Sequence, residues 1–411
     1  MPMRILYLHG SVMPPPNDLS LNKFAWLSEQ LEGDVLQQVW FSSPGELEET
    51  VGPGSYPIHL VRRFRYHFLL MKSRNRLINK MALACFFISE GLKVYRDQGF
   101  ECIVTYAHTL TALCGVVLKW LTGAKLIVEI VTQPDKAYVV QNPTPRPLDC
   151  LMQLYSNICV HLSLWSCDRA HLLAPTLLAG YKRLQNVRAS AFFQGVPVSQ
   201  IPRHHEASEQ YILLVGAPAN VKGVDLLIAA FKRLAADFPD VKLKLLGYYP
   251  DRQRLEEMAD GISQIEFLGP RPHPEVLGIM SNATIFALPS RNEGVATVVI
   301  EAMSSGVPLV VSDAGGLPTV VRDGENGFLV PVGNVDMLEL RLRQLLSDPE
   351  LRRRIGSSAY ETARKLYSEP MYVRQFSQMI RETVGAAAKD PGEGRDRPAG
   401  AKHREVEGSA R

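Results

Sequence analysis

The chain has 411 residues, 46% hydrophobic and 21% charged, with 45 basic residues against 42 acidic ones. That length leaves room for two or three domains with separate cores, and the composition is that of a globular protein. A nearly neutral balance argues against a nucleic-acid binder, and no apolar run approaches the roughly 20 residues of a membrane span.

In chain order, Arg4 to His9 reads as a buried strand closed by Gly10. It begins at once, without signal-peptide architecture, so the expected compartment is the cytoplasm. A proline-rich loop (Pro14, Pro15, Pro16, Asn17, Asp18) leads into a helix from about Leu19, and Val35 to Phe41 is a second strand. From Pro57 to Tyr95 the pattern predicts one long helical region. Arg62, Arg63, Arg65, Lys72, Arg74, Arg76 and Lys80 fall within it, with no acidic residue between Thr50 and Ser89, and Phe64, Phe68 and Met71 share a helical stripe. Such a segment either packs its aromatics inward beneath a solvated basic face, or lies on an anionic membrane surface. On the second reading Arg62, Arg63 and Arg65 are the membrane contacts, and the protein is peripheral at the inner membrane face.

Cys102 to Ala107 and Lys125 to Val131 read as strands around a helix, a further βαβ unit. Asp149 to Trp165 is helical; Arg169 to Ala174 and Ala189 to Gln194 are strands. The six cysteines (85, 102, 114, 150, 159, 167) lack metal-type spacing and read as small buried hydrophobes in a reducing compartment. Periodicity disappears over 199–209, where an interdomain linker is expected. His204 and His205 within it read as exposed linker residues rather than ligands.

Beyond the linker, strands at Tyr211–Gly216, Lys242–Gly247, Gln264–Gly269, Thr284–Leu288 and Val307–Ser312 alternate with helices beginning near Gly223, Asp251, His273 and Gly294. That rhythm predicts a parallel doubly wound sheet with its ligands beyond the strand carboxyl ends. Helices at Asn334–Ser347, Pro349–Leu366 and Met371–Val384 follow, and from Gly385 the composition predicts a disordered tail.

The densest chemistry lies between Ala287 and Pro308, ALPSRNEGVATVVIEAMSSGVP. A strand ends in a Pro-Ser turn, and a helical pattern then starts after Gly294. The first turn of that helix would present the amides of Gly294, Val295 and Ala296 to an anion such as phosphate. Glu293 and Glu301 flank the site. Eight helical steps would separate them by roughly 12 Å, beyond the roughly 5–9.5 Å of a hydrolase's paired carboxylates. Hydrogen bonds to hydroxyls, a ribose diol and a sugar, suit them better; the bland alternative is an ordinary helix with two solvated glutamates. Lys222 follows the turn Gly216-Ala217-Pro218-Ala219-Asn220-Val221, where a lysine can meet a diphosphate and stabilise a departing one. Pro270 and Arg271, after Phe267-Leu268-Gly269, are placed either to read a base edge and stack on it or to sit in a solvated loop.

The E-x7-E pattern, together with Lys222-Gly223, Phe267-Leu268-Gly269 and Asp323-Gly324-Glu325-Asn326-Gly327-Phe328-Leu329-Val330, resembles glycosyltransferase family 4 from about Tyr211 to Tyr367. The resemblance implies the α/β GT-B fold, two Rossmann-like doubly wound domains facing a cleft. Residues 1–198 would form the acceptor-side domain and 199–209 the linker. Residues 210–370 would bind the nucleotide sugar, 371–384 would cross back to the first domain, and 385–411 would be tail. It implies a retaining transfer of a hexose-type sugar from a nucleoside-diphosphate sugar to a hydroxyl acceptor (glycan, polysaccharide precursor or lipid-linked), with no other cofactor and no metal. Catalysis falls to Glu293 and Lys222. Gly10, Lys222, Pro270, Arg271, Glu293, Gly294, Val295, Ala296 and Glu301 would bind the donor, Glu301 through the ribose and Glu293 through the transferred sugar.

Three departures stand out. Ala217 occupies the place of an arginine that helps hold the diphosphate in the family, and Arg291 in the neighbouring loop is the candidate substitute. Val131-Thr132-Gln133-Pro134 lacks a histidine usual after that strand. His108 matches a different, more structural position. A non-catalytic binding or scaffold subunit and a GT-B nucleotide-sugar epimerase are the competing readings.

Overall fold

A computed structural model describes residues 2–10, 22–39, 58–70, 76–107, 109–131, 147–178, 187–205 and 208–385. The loop at 14–18, Met71, Lys72, Arg74, His108, Thr132 to Pro134 and the tail from 386 onward lie outside the described residues.

Two sheets carry the architecture. The first contains β1 (Met3–His9), β2 (Leu31–Val39), β3 (Ile58–Val61), β4 (Phe64–Leu70), β5 (Cys102–Tyr106), β6 (Lys125–Ile130), β7 (Arg169–Leu172) and β8 (Ala189–Ala191), in the order β3-β4-β2-β1-β5-β6-β7-β8. β3 runs antiparallel to β4, and the other pairs are parallel. The second contains β9 (Gln210–Val215), β10 (Val241–Leu246), β11 (Ile265–Phe267), β12 (Ile285–Leu288), β13 (Leu309–Ser312) and β14 (Phe328–Val330), in the order β11-β10-β9-β12-β13-β14 and parallel throughout. Ile5–Leu8, Ile212–Leu214 and Ile285–Leu288 are completely buried, as strands covered on both faces by helices must be.

In the first half the helices are α1 (Lys23–Leu27), α2 (Arg76–Gln98), α3 (Leu110–Thr122) and α4 (Pro147–Ser166). Around the second sheet lie α5 (Ala219–Lys222), α6 (Val224–Leu234), α7 (Arg252–Ala259), α8 (His273–Ser281), α9 (Thr297–Ser305), α10 (Val335–Ser347) and α11 (Pro349–Leu366). The last helix, α12 (Glu369–Val384), returns to the first sheet. Its Tyr372, Val373, Phe376, Met379 and Ile380 share a buried cluster with Ile5, Tyr7, Phe24 and Phe64. A bridge between Val196 and Ser368 lays the two connecting segments side by side. The segment after Val198 is fastened to the second half: the His204 amide donates to the Ser305 carbonyl (2.8 Å), and the Arg203 guanidinium lies 3.3 Å from the Tyr360 ring centre.

One expectation is overturned. Residues 58–70 form a β-hairpin, not the start of a long helix, and the helix begins only at Arg76. Phe64 and Phe68 are four residues apart, a spacing common to a helical face and to one face of a strand. Tyr66 settles the period, because Phe64, Tyr66, Phe68 and Leu70 are all buried in the α12 cluster. The proposed membrane contacts therefore fall elsewhere. Arg62, at φ 52°, and Arg63 make the exposed hairpin turn, and Arg62 Nη1 donates to the Ala25 carbonyl at 3.2 Å. Arg65 pairs with the buried Asp34 carboxylate at 2.7 Å. His67 sits between Asp34 (2.8 Å) and Glu90 (3.0 Å). Burial alone would raise the Asp34 pKa, but hydrogen bonds from His67 and Arg65 outweigh it and hold the carboxyl below its ordinary value. The missing acids were non-local.

The cysteines divide. Cys102, Cys114 and Cys159 are buried and Cys167 is half-buried, but Cys85 and Cys150 are exposed, against expectation. Among the described residues no helix is long and apolar enough to cross a membrane, and no group of three or more His, Cys, Asp or Glu is arranged to hold a metal ion.

Candidate functional site

The second sheet reverses its winding direction between β9 and β12, and open parallel sheets place ligands outside the strand carboxyl ends at that point. Two loops leave from there. The first, after β9, turns through the single-turn helix α5 and ends on Lys222. Gly223 then adopts a left-handed conformation (φ 71°), and a Cβ there would lie 2.1 Å from the Pro289 carbonyl oxygen. Only glycine lets this turn rest on the second loop, which follows β12.

The two loops are tied at several points. The Arg291 amide donates to the Val221 carbonyl at 2.8 Å. The Arg291 guanidinium grips Asp225 bidentately at 2.8 and 2.6 Å and also donates to the Asn220 carbonyl at 2.8 Å. Arg291 is thus a brace between the loops, and it does not take the place left by Ala217, which is itself exposed. Lys222 Nζ reaches Glu293 Oε1 at 2.6 Å, and Ser290 Oγ donates to the same oxygen at 2.9 Å. The lysine and glutamate side chains are only 16% and 9% exposed.

Helix α9 starts at Thr297, later than the pattern suggested, so Glu293 lies in the preceding loop and the eight-step helical spacing does not apply. Ala296 caps the helix with no side-chain hydrogen bond, leaving first-turn N–H donors to other partners. Val295 and Ala296 are buried, and the Gly294 carbonyl accepts from the Gly316 amide at 2.8 Å. Gly315 supports the loop from below: with φ 55°, a Cβ on it would lie 1.7 Å from the Glu293 carbonyl oxygen.

Glu301, one turn inside α9, accepts from His273 Nε2 at 2.8 Å. That hydrogen bond raises the imidazole pKa, with burial opposing it. His273 opens α8 directly after Pro270, Arg271 and Pro272, so this exposed loop and Glu301 are joined by this contact. Neither His273 nor Ser290 was singled out in the sequence. His273 stands 28 residues from its partner, and only Ser290, three residues before Glu293, had a local signal.

Across the cleft the first sheet presents β1, β5 and β6. A Cβ on Gly10, just beyond β1, would meet Thr111 Oγ1 at 3.0 Å. His9 stacks on Tyr106 (ring centres 4.9 Å apart, 10° between planes), and burial, then the Lys23 charge, drives its pKa down to about 3. Lys23 Nζ donates to the Tyr7 hydroxyl at 2.8 Å, Tyr7 donates in turn to Glu129, and His171 Nδ1 lies 2.8 Å from the other Glu129 oxygen. Burial opposes ionisation of Glu129, but Lys23 and the His171 and Tyr7 hydrogen bonds prevail and hold it charged, at a pKa of about 2. The sequence lacks a histidine after β6; His9 stands at the end of β1, with β5 between the two strands. Two contacts join the halves beside the site: Thr176 Oγ1 donates to the Gly315 carbonyl (3.1 Å), and Gln194 Nε2 donates to Thr297 Oγ1 (3.4 Å).

Two Rossmann-like sheets joined by a returning C-terminal helix, with charged loops at the switch point of the second, define the GT-B fold. Residues 200–362 match the family described as glycosyl transferases group 1. An uncharacterized glycosyltransferase of Methanocaldococcus jannaschii is 32% identical over 180 residues, which is 43% of this chain and 49% of that protein. The chain spans about half the length, or less, of the curated relatives it matches. Sucrose-phosphate synthase from Thermosynechococcus elongatus superposes with a TM-score of 0.74 at 20% identity, covering 94% of this chain and 100% of that one. Anabaena HepE in complex with UDP and glucose superposes with a TM-score of 0.69 at 15% identity, covering 92% and 100%.

Proposed function

We propose that this protein is a retaining glycosyltransferase. It moves a hexose-type sugar from a nucleoside-diphosphate sugar to a hydroxyl acceptor: a glycan, a polysaccharide precursor or a lipid-linked sugar. The observation that carries this reading is the Lys222–Glu293 pair beside the uncapped start of α9. A cation and a helix N-terminus together offer a diphosphate its counter-charge and growing stabilisation as it leaves, so no metal ion is required. Glu293 then accepts hydroxyls of the transferred sugar, Glu301 those of the ribose, and the loop at Pro270 and Arg271 meets the base. The UDP and glucose named for the Anabaena structure support this donor class.

Calorimetric titration with nucleoside diphosphates and their sugars, followed by NMR assignment of the product anomer, tests the reading. An α-linked donor should give an α-linked product. Inversion, or no binding of any such ligand, would reject it. One observation favours a non-catalytic binding subunit instead: with Ala217 in the first loop and Arg291 locked to Asp225, the diphosphate has one cation rather than two. Ligand binding without turnover would select that reading.

A further inference from the structure

In the first half α2 packs against α3 and α3 against α4, and α4 is amphipathic in the wrong sense for water. Its inward face buries Gln153, Ser156 and Ser163. Its outward face carries Leu151, Leu154, Ile158, Leu162 and Trp165, each exposed by 49% or more. The spacings along that stripe are three, four, four and three residues, so it reads the same from either end, centred on Ile158. On a helix these positions follow one face over about 20 Å. Two further apolar pairs flank it. Lys119 Nζ donates to the Ser166 carbonyl at 2.7 Å, which sets Trp120 and Leu121 on α3 beside the carboxyl end of α4. The Lys80 ammonium lies 5.2 Å from the centre of the Tyr155 ring, which sets Ile78 and Met81 on α2 beside the amino half. Both pairs are exposed, at 54% or more. Contiguous apolar surface on this scale marks an interaction site rather than scattered exposure.

Charge, extent and symmetry indicate what covers this face. Residues 150–166 contain no Asp, Glu, Lys or Arg. At the edge, Lys119 is neutralised by Asp168 at 2.7 Å. A surface so poor in charge has the composition of an interface core. The exposed apolar side chains of the three helices amount to on the order of 1,000 Å², against the roughly 800 Å² that each partner gives to a stable interface. Symmetry selects the partner. A two-fold axis at Ile158, lying in the interface and perpendicular to α4, lays a second α4 antiparallel on the first. Ile158 then meets Ile158, Leu154 meets Leu162 and Leu151 meets Trp165, each from the other copy. The same rotation brings Trp120 and Leu121 of one copy over Ile78 and Met81 of the other. Lys80 stands on the amino side of Ile158, so the axis sets the two Lys80 side chains apart rather than face to face. An unrelated partner requires no such palindrome.

We propose that the protein forms a homodimer through the outer face of α4, two copies of the helix packing antiparallel about Ile158 with the adjoining ends of α2 and α3 at the rim. This inference does not depend on the donor site, which lies at the carboxyl edge of the second sheet.

The test is sedimentation equilibrium of the full chain across a dilution series, with flotation against vesicles of phosphatidylcholine and phosphatidylglycerol run in parallel. The parent is expected to sediment at twice the chain mass and to dissociate on dilution. Ile158→Glu sets two carboxylates against each other on the axis and should weaken the dimer at least about a hundredfold. Leu154→Lys and Leu162→Glu should each weaken it too. Leu154→Lys/Leu162→Glu pairs opposite charges twice across the axis, and should dimerise at least about tenfold more tightly than the two separate losses combined. Circular dichroism shows that the variants fold; if Ile158→Glu does not, the Leu154 and Leu162 cycle and the dilution series decide. A parent that stays monomeric at every concentration, or that floats with the vesicles as a monomer, would overturn the proposal. So would a folded Ile158→Glu that dimerises as the parent does, or purely additive losses in the cycle.

Discussion

The Lys222–Glu293 contact allows a prediction in which two substitutions in one pair act in opposite directions on a ligand. Their side chains are 16% and 9% exposed, and the ammonium stands 2.6 Å from the carboxylate. Removing one partner of a fully buried pair costs about 3–5 kcal/mol. Here solvent reaches part of the lysine and Ser290 still bonds Glu293, so Lys222→Met should destabilise the fold by roughly 2 kcal/mol, within the range for charged hydrogen bonds. Glu293→Gln should cost less, because Ser290 Oγ can still donate to the amide oxygen. The double variant should recover part of the loss, giving a coupling of about 1–2 kcal/mol. Binding separates the roles further. Lys222→Met should weaken a nucleoside diphosphate without sugar by roughly 1.5–3 kcal/mol, whereas Glu293→Gln releases the ammonium and should leave that affinity equal or tighter. Denaturant unfolding of the four proteins supplies the cycle, and calorimetry the affinities. Additive stabilities, or Lys222→Met binding the diphosphate as well as the parent does, would refute the reasoning.

Glu301→Ala should weaken nucleotide binding by about 1.5–3 kcal/mol in the same titration, since a ribose hydroxyl would lose a charged acceptor. The pKa of His273 is raised from 6.5 by its bond to Glu301, so its contribution to stability is complete below about pH 6.5 and is lost as pH rises through the raised value. His273→Asn should remove that pH dependence, by less than about 1 kcal/mol because the ring is 44% exposed and screened, as unfolding curves against pH would show. Gly315→Ala should displace the Glu293 loop, lowering both the unfolding midpoint and diphosphate affinity, because its φ is positive and its Cβ would overlap a carbonyl oxygen. Unchanged values for this variant would mean the loop is softer than its packing implies.

The second sheet was largely legible in the sequence because parallel strands buried on both faces are short apolar runs ended by Gly or Pro, as at Val215-Gly216 and Leu288-Pro289. β14 (Phe328–Val330) was not expected as a strand. The hairpin at 58–70 was misread because Phe64 and Phe68 satisfy both periods, and the arginines suggested a surface where Asp34 was waiting to pair. At the site, residue types pointed to Lys222, Glu293 and Glu301, but not to what each touches. Arg291 carries the right charge in the right loop and is turned away by Asp225, which no local pattern reveals. Thr176 and Gly315, bonded across 139 residues, meet only because two sheets face each other.

The return of α12 to the first sheet bears on how the chain is made. Tyr372, Phe376 and Ile380 complete the cluster around Tyr7 and Phe24, yet they are synthesised more than three hundred residues later. While the ribosome is still building the second half, the first sheet has its strands but lacks part of its cover, and the second can close on its own contacts. The usual order, in which the earlier domain matures before the later one appears, is therefore inverted for the final step. A nascent chain stalled before Glu369 would leave that apolar surface open to chaperones, and release of the last helix would complete the cover of the first sheet.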